Sequence, residues 1–296
     1  MAMVTLMVAS TDSYWTRDFG PWFVFNGDGE LGVVDFQYNR DRPNDNLIPQ
    51  RYAQQYGLPY YGMNVVQTGG NYMTDGIHTA AQTMIAYTEN NNNQDFVNNQ
   101  MSSYLGIESY HVLEDPNNTY IDHIDCWGKF LAPDKVLIRS VPTTHAQYSA
   151  IEATAAYFAT RSCAWGYPYK VYRVYTPGNQ PYTNSLILNK RVFVPIMNNV
   201  NDAAALQVYR NAMPGYEVLG FTGSWESTDA LHCRTHEIPD KDMLHISHQP
   251  YFGIKALSET TVFDTYITAH SNASLYADSL YIGYKINSGE WQQAWL

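Results

Sequence analysis

A histidine and an aspartate lie two residues apart near the middle of the chain, in the segment from Tyr120 to Phe130. If this segment is a β-strand, His123 and Asp125 point to the same face. A histidine exchanges protons near neutral pH, and a carboxylate beside it can orient the ring or bind a cation. The spacing is therefore compatible with a catalytic site, although such a pair on its own more often belongs to a polar strand face.

The composition of the chain excludes several classes of partner. The net charge of −11 over 296 residues argues against nucleic acid or an anionic membrane surface and suits a cationic ligand. No apolar run approaches the roughly 20 residues of a membrane-spanning helix. The first residues lack the basic region of a signal peptide. Cys126, Cys163 and Cys233 have no metal-type spacing, and their odd number predicts at least one free thiol unless chains pair.

A repeating pattern organises most of the sequence. Helical segments recur at intervals of about 50 residues, which is typical of repeated structural units. They are predicted at Asn46–Tyr56, Gln94–Leu105, Ala146–Ala164 and Asp202–Met213. Each helix is followed by a short apolar strand and then by two strands joined by a turn. The sequence therefore predicts an α/β fold built from similar units.

Five hairpins accompany these four predicted helices. The first follows an opening strand at Val4–Ala9, and its turn, Asn26-Gly-Asp-Gly29, carries a strong hairpin signal. The other four are predicted to pair 71–76 with 83–87, 120–130 with 135–141, 184–188 with 191–196, and 230–237 with 243–247. If five units close into a ring, one helix is missing, so we expect the first unit to be incomplete at its amino-terminal end. Beyond residue 248, alternating strands without helices predict a separate all-β segment.

Ring closure would bring polar residues together, because the first strand of each hairpin would occupy an equivalent place around the axis. Those places hold Trp15 to Asp18, Asn71, His123 with Asp125, Asn184, and His232 with Cys233. A cysteine, a histidine and two acids in one cavity supply a nucleophile, a proton carrier and a cradle for a cation. A guanidinium suits such a cradle, since its planar fork of N–H groups matches carboxylates.

These segments resemble the guanidine-modifying (pentein) superfamily, and especially the Porphyromonas-type bacterial peptidylarginine deiminases, which are related to agmatine deiminase. The similarity lies in Trp15–Trp22, Gly69–Asn71, His123–Asp125 and Leu231–His236, in order along the chain. The resemblance implies a five-bladed ββαβ propeller over residues 1–248. It also implies the start of an immunoglobulin-like β-sandwich over residues 249–296, and a secreted or cell-surface location.

The resemblance also implies a role for each residue. Cys233 would be the nucleophile, His123 the general acid and base, and Asp18 and Asp125 the guanidinium ligands, with Asn184 in the same catalytic group. Thiolate attack would give a covalent thiouronium, which water would release as citrulline, with no metal or organic cofactor required. The implied substrate contacts are Trp15, Arg40, Arg42, Tyr120 and Asn71.

Purely structural alternatives exist for several of these residues. Cys233 could be a buried structural thiol, and Trp15 could pack without a cation–π contact. Asn71 and Asn184 could satisfy buried backbone groups instead of binding substrate.

Competing site assignments are disfavoured by strand geometry or by chemistry. His232 and His236 compete with His123 as the base, but on a strand His232 would face away from Cys233. A cysteine protease would also use a cysteine and a histidine, yet amide cleavage does not require paired acids for a cation. A metal site that includes Cys126 is disfavoured because Cys126 would point to the opposite strand face.

Two arginines bear on the choice of substrate. Arg40 and Arg42 precede Pro43 in extended chain and can share a face suited to a carboxylate. In the resembling enzymes, arginines of this motif bind the α-carboxylate of a carboxy-terminal arginine. The alternative is a surface salt bridge with Asp41 or Asp45. We therefore expect an arginine-containing peptide or protein as substrate, with agmatine deimination or an inactive arginine-binding fragment as alternatives.

Overall fold

A hairpin followed by a helix and a third strand recurs from Trp22 to Thr222. The computed structural model describes residues 6–249, 251 and 262–296. Over these ranges, four three-stranded sheets have this form. In each sheet the first two strands are antiparallel and the third is parallel to the second. Parallel neighbours need a crossover connection, and here each crossover contains a helix. The repeated α/β unit predicted from the sequence is confirmed.

The long helices recur at about the 50-residue interval predicted from the sequence. The strands of the four sheets are β1 Trp22–Phe25, β2 Leu31–Tyr38, β3 Tyr60–Gln67, β4 Met73–Thr74, β5 Thr79–Thr83, β6 Ser109–Leu113, β7 Gly128–Ala132, β8 Lys135–Ser140, β9 Lys170–Tyr175, β10 Leu186–Leu188, β11 Arg191–Ile196 and β12 Glu217–Thr222. The α-helices are α1 Thr16–Phe19, α2 Pro43–Asn46, α3 Ile48–Tyr56, α4 Ile85–Thr88, α5 Gln94–Leu105, α6 Tyr148–Ala159 and α7 Asp202–Ala212.

Local signals explain where the helices begin and end. At the start of α5, the side chain of Asn93 accepts the Phe96 amide at 3.1 Å, and the helix ends at Gly106, whose φ is +66°. Helix α6 is shorter than the predicted Ala146–Ala164, because Ser162 pairs with Pro168 and turns the chain back. The first predicted helix, Asn46–Tyr56, corresponds to α3, and the short helix α2 precedes it.

Apolar clusters join neighbouring sheets through the crossover helices. In one cluster, Leu137 of the third sheet and Val192 of the fourth both pack with Tyr209 of α7. The hydroxyl of Tyr209 bonds to the Tyr182 carbonyl and to Ser185, so its polar end is satisfied in the core. Burying a large apolar side chain stabilises a fold by about 1.5–3 kcal/mol. The helices therefore fix the placement of adjacent sheets, and with it the loops that leave them.

The second predicted hairpin is shorter than expected. Its first strand, predicted to start at Asn71, is reduced to β4, because Asn71 ends a 3₁₀ turn that begins at Gly69. The Asp75 carboxylate then accepts the amides of Ile77, His78 and Thr79 and tightens the connection to β5. The predicted strand at 83–87 is also wrong beyond Thr83, where α4 follows.

The predicted strand from Tyr120 to Phe130 is wrong over its first half. Asp122 has a φ of +56°, which a strand does not contain, and Ile124–Cys126 forms a 3₁₀ turn. Strand geometry therefore does not relate His123 to Asp125. Hydrogen bonds from distant side chains to the backbone of Asp122 and Ile124 replace the strand ladder here.

The predicted fifth hairpin, 230–237 with 243–247, is also wrong. Residues 231–234 form a turn, and strand β13 (Leu244–His248) pairs antiparallel with β14 (Thr265–Ala269). Of the predicted opening strand Val4–Ala9, residues 4 and 5 lie outside the described residues, and residues 6–9 are not in a strand.

The chain divides into two units, Met1–Asn26 with Leu31–Ile238 and Gly27–Glu30 with Pro239–Leu296. The described part of the second unit contains the β13–β14 pair and a pair formed by β15 (Tyr281–Tyr284) and β16 (Gln292–Trp295). Its immunoglobulin-like character and the five-bladed ring stay predictions, since no closed sheet occurs in the ranges described. No helix of those ranges is long and apolar enough to cross a membrane.

Candidate active site

Cys233 lies in the turn at residues 231–234, and only 3% of it is exposed. The amides of His232 and Cys233 donate to Oδ1 of Asn184 at 2.9 and 3.3 Å. Nδ2 of Asn184 lies 3.2 Å from the Cys233 Sγ. Asn184 thus satisfies backbone groups and contacts the thiol at once, so one side chain fixes the position of the sulfur.

Arg17 holds the other side of this turn. Its amide donates to the carbonyl of Cys233 at 3.2 Å, and its Nε donates to the carbonyl of His232 at 3.4 Å. Its Nη2 lies 2.5 Å from Oε2 of Glu237. Since Arg17 precedes Asp18 in the chain, it ties the Asp18 carboxylate to the cysteine turn. This role of Arg17 was not predicted from the sequence, although an arginine directly before a predicted guanidinium ligand was a signal for it.

Asp125 lies between the cysteine and a histidine. Its Oδ2 is 3.5 Å from the Cys233 Sγ and 2.8 Å from Nδ1 of His232. Burial, followed by the charges of Arg17 and Lys129, lowers the pKa of His232 well below its ordinary value. The His232 ring and the Asp125 carboxylate thus share a hydrogen bond through Nδ1. The prediction that His232 faces away from the site is wrong, because the chain turns here.

His123 is buried with both ring nitrogens unbonded. Neither Nδ1 nor Nε2 has a hydrogen-bond partner among the residues that the structure describes. Nδ1 lies 3.8 Å from Oδ1 of Asp18, which in turn accepts the amide of Gly70 at 3.2 Å. A histidine that keeps both nitrogens free inside a polar site is available for proton transfer with a bound molecule.

The turn that carries His123 is held by Asn71. The fully buried Oδ1 of Asn71 accepts the amides of Thr83 at 3.0 Å and Ile124 at 3.2 Å. The Thr83 hydroxyl donates to the carbonyl of Asp122 at 2.5 Å. Asn71 therefore fits the alternative in which it satisfies the backbone, and it positions His123 by doing so.

The groups around Cys233 disfavour ionisation of its thiol. Burial raises the pKa of the Cys233 thiol well above its usual range, and Asp125 and Asp18 raise it further. Burial also raises the pKa of Asp125. A cation bound between the two carboxylates would oppose both effects, because it stabilises the carboxylates and the thiolate alike.

Lys129 is a second buried cation that the sequence argument missed. Burial, followed by the charge of Arg17, lowers its pKa to about 8, while Glu237, Asp125 and Cys233 act in the opposite direction. Its ammonium thus contributes positive potential near the nucleophile. No local motif marks it, since a lysine on a strand is ordinarily a surface residue.

His236 does not serve as an alternative base. Its Nε2 donates to the carbonyl of Pro21 at 2.6 Å, and burial lowers the pKa of His236 to about 4. This histidine stays neutral and holds the chain that follows α1.

The predicted substrate contacts fall into two groups. The guanidinium of Arg42 lies 4.6 Å from the Trp15 ring and donates from Nη1 to the Tyr38 hydroxyl at 2.9 Å. Trp15 thus contacts a cation of the chain itself. Arg40 is exposed, with Nη1 at 3.4 Å from the Asn39 carbonyl. Tyr120 is 87% exposed, so its role stays a prediction.

Removing the charge of Asp125 should increase the reactivity of Cys233. In Asp125→Asn, the thiol pKa falls, and we expect iodoacetamide to alkylate Cys233 at pH 7 roughly threefold faster for each pKa unit lost, after allowing for weaker intrinsic nucleophilicity. Labelling is assigned by peptide mapping, with Cys233→Ala as the blank, since Cys126 and Cys163 are also free thiols. Asp95→Asn, on the surface of α5, is the charge control. A slower or unchanged reaction would contradict the electrostatic assignment.

Comparison with known proteins gives related sequences over most of the chain. The sequence profile of the Porphyromonas-type peptidyl-arginine deiminases matches residues 1–239. A candidate agmatine deiminase of Shewanella frigidimarina is 25% identical over 285 residues, covering 80% of this chain and 76% of that protein. Another, from Vibrio parahaemolyticus, is 24% identical over 283 residues, covering 80% and 78%.

Solved structures of such proteins share the fold. A candidate peptidyl-arginine deiminase superposes with a TM-score of 0.70 at 23% identity, covering 78% of this chain and 77% of that one. A candidate arginine deiminase from Porphyromonas gingivalis gives 0.70 at 24% identity, covering 79% and 77%. The agmatine deiminase of Enterococcus faecalis gives 0.67 at 22%, covering 72% and 71%. The mixed α/β fold with small sheets is thus that of these deiminases. With the profile match over residues 1–239, the chain belongs to the Porphyromonas-type peptidyl-arginine deiminase family of guanidine-modifying enzymes.

Proposed function

We propose that this protein hydrolyses the guanidinium of arginine to citrulline and ammonia through a covalent adduct on Cys233. The observation that carries the proposal is the placement of a buried thiol beside a buried carboxylate, with a second carboxylate and an unbonded histidine close by. A planar cation fits this set, because each carboxylate can accept from its N–H fork. Two unit charges ~4 Å apart attract by roughly 4 kcal/mol at an effective dielectric of about 20.

In this mechanism the substrate cation activates its own nucleophile. Asp18 and Asp125 bind the guanidinium, whose charge offsets theirs and favours the Cys233 thiolate. His123 takes the thiol proton as the sulfur bonds to the guanidinium carbon, and the tetrahedral adduct expels ammonia as His123 passes that proton to the leaving nitrogen. His123 then takes a proton from water, which attacks the thiouronium carbon. The C–S bond breaks and citrulline leaves.

The two arginines support a substrate with a free carboxylate. Within the described ranges, neither Arg40 nor Arg42 has a carboxylate at ion-pair distance. Asp45, one partner of the alternative salt bridge, bonds to the amides of Asp12 and Ser13 instead. We infer that these two guanidinium groups bind the α-carboxylate of a carboxy-terminal arginine, and we call Arg40 and Arg42 the carboxylate clamp.

Agmatine is the alternative substrate, and it is favoured by the names of several relatives. It has a guanidinium but no carboxylate, so Arg40 and Arg42 would have no role in its binding. An inactive arginine-binding chain is a further alternative. From the family resemblance, we also propose that the protein is secreted or located at the cell surface.

A direct comparison of substrates tests the reaction. We expect citrulline and ammonia from a peptide ending in arginine, slower turnover of the same peptide as its carboxy-terminal amide, and no product from Cys233→Ala. Product from agmatine alone would keep the chemistry and overturn the peptide substrate. No product from any substrate, by a chain that melts cooperatively, would overturn the proposed activity.

Removing the charge of Arg40 or Arg42 should weaken the binding of the carboxylate peptide and leave the binding of its amide unchanged. In Arg42→Ala or Arg40→Ala, each lost charge-assisted contact should raise KM for the carboxylate peptide about 10- to 100-fold. The KM for the amide should stay unchanged, since it lacks the charged group. Arg191→Ala controls for net charge, because it removes a cation of β11 that is paired with Glu217 of β12. Equal losses on both peptides would contradict the clamp.

A methyl group at Gly70 should disturb the catalytic groups without unfolding the chain. Its Cβ would lie 2.6 Å from both Oδ1 of Asp18 and Nδ1 of His123, so these side chains must shift. We expect Gly70→Ala to lower kcat about 100-fold, with a melting temperature close to that of the wild type. Gly62→Ala, whose nearest neighbouring atom is 4.0 Å away, is the matched control. Full activity of Gly70→Ala would show that the spacing of Asp18 and His123 is not critical.

A further inference from the structure

Two short segments of the first unit exchange hydrogen bonds in both directions. The buried carboxylate of Asp45 accepts the amides of Asp12 at 2.7 Å and Ser13 at 3.2 Å, and the Ser13 hydroxyl at 2.7 Å. In return, the carboxylate of Asp12 accepts the amide of Asn44 at 2.7 Å and its side-chain amide at 2.8 Å. We call Asp12, Ser13, Asn44 and Asp45 the reciprocal clasp.

The clasp joins the segment that carries Trp15 to the segment that carries Arg40 and Arg42. Trp15 follows Ser13 by two residues, and Arg42 precedes Asn44 by two. Beyond the clasp the two segments meet again where the Arg42 guanidinium lies 4.6 Å from the Trp15 ring. Because the clasp fixes both backbones within a few bonds of this contact, it limits how far either side chain can move.

Further hydrogen bonds close the loop around Arg42. Oδ1 of Asn46 accepts the amide of Tyr38 at 2.7 Å, and the Tyr38 hydroxyl accepts from Nη1 of Arg42 at 2.9 Å. The guanidinium is therefore held by an aromatic face and a neutral oxygen. Asp45 is the nearest buried acid in sequence, but its oxygens are occupied by the clasp. The arrangement orients Arg42 and leaves it with no carboxylate at ion-pair distance in the described part of the chain, although its charge helps to lower the pKa of Asp12.

We propose that the reciprocal clasp sets the specificity of this enzyme for substrates with a free carboxylate, by holding Arg42 in a fixed orientation against Trp15. The inference rests on the proposed function. Asp12 and Asp45 act as positioning residues that do not touch the substrate. The same short stretch leads through Trp15 to Asp18, so the clasp also fixes the distance between the carboxylate subsite and one guanidinium ligand.

The test compares two substrates in clasp variants of the whole chain. Asp45→Ala removes the buried acceptor, and Asp12→Ala removes the exposed half of the clasp with less risk to folding. Asp41→Asn is the matched control, because it removes an exposed acid between Arg40 and Arg42 that makes no clasp bond. KM and kcat are measured for a peptide ending in arginine and for its carboxy-terminal amide, and melting curves establish that each variant folds.

We expect each clasp variant to raise KM for the carboxylate peptide about tenfold, as misplacement of a binding group does. The kcat values, and both constants for the amide, should stay near those of the wild type. Asp41→Asn should keep the preference for the carboxylate. If Asp45→Ala does not fold, Asp12→Ala decides.

Two other results would overturn the inference in distinguishable ways. A wild-type enzyme that prefers the carboxylate, with clasp variants that keep the preference or lose activity equally on both peptides, leaves the proposed function standing and refutes the clasp. A wild-type enzyme that treats both peptides alike refutes the carboxylate clamp, and the clasp inference falls with it.

Discussion

A carboxylate buried against a thiol is the constraint on which the rest of the site depends. Burial raises the pKa of both groups, and the charge of Asp125 raises the pKa of Cys233 further, whereas the hydrogen bond from Cys233 lowers the pKa of Asp125. Such a pair is unfavourable without compensation, because an unpaired buried charge is costly. His232 offers one hydrogen bond, and Lys129 adds positive potential. In the proposed function, the guanidinium of an arginine substrate supplies the cation that offsets these charges.

The surrounding fold keeps these groups together by hydrogen bonds to the backbone. Asn184, Arg17 and Asn71 come from different repeats of the hairpin–helix–strand pattern, and each bonds to main-chain atoms of a turn that carries a reactive residue. The turns themselves have little regular structure. The repeated sheets therefore position them, and hydrogen bonds from buried polar side chains hold their backbones in place. This division explains how a site can be rigid although its reactive residues lie outside the strands.

The sequence was sufficient for the parts of the fold that local signals determine. These signals include the Asn93 cap of α5, the glycines that end α3 and α5, and the hairpin turn at 26–29, all of which act within a few residues. The strand predicted through His123 failed because its backbone is tied to Asn71, more than fifty residues earlier. The orientation of His232 failed for the same reason, since Asn184 and Arg17 determine the turn. Sequence reasoning did select the residues that the structure brings together, namely Asp18, His123, Asp125, Asn184 and Cys233, because their chemistry is complementary.

Intact-mass spectrometry of the enzyme, quenched with acid while it turns over a peptide ending in arginine, tests the central claim most directly. The account predicts a species heavier than the free enzyme by the peptide mass less one ammonia, with the added mass on Cys233 after peptide mapping. An adduct on another residue, or citrulline formation at the full rate by Cys233→Ala, would contradict it.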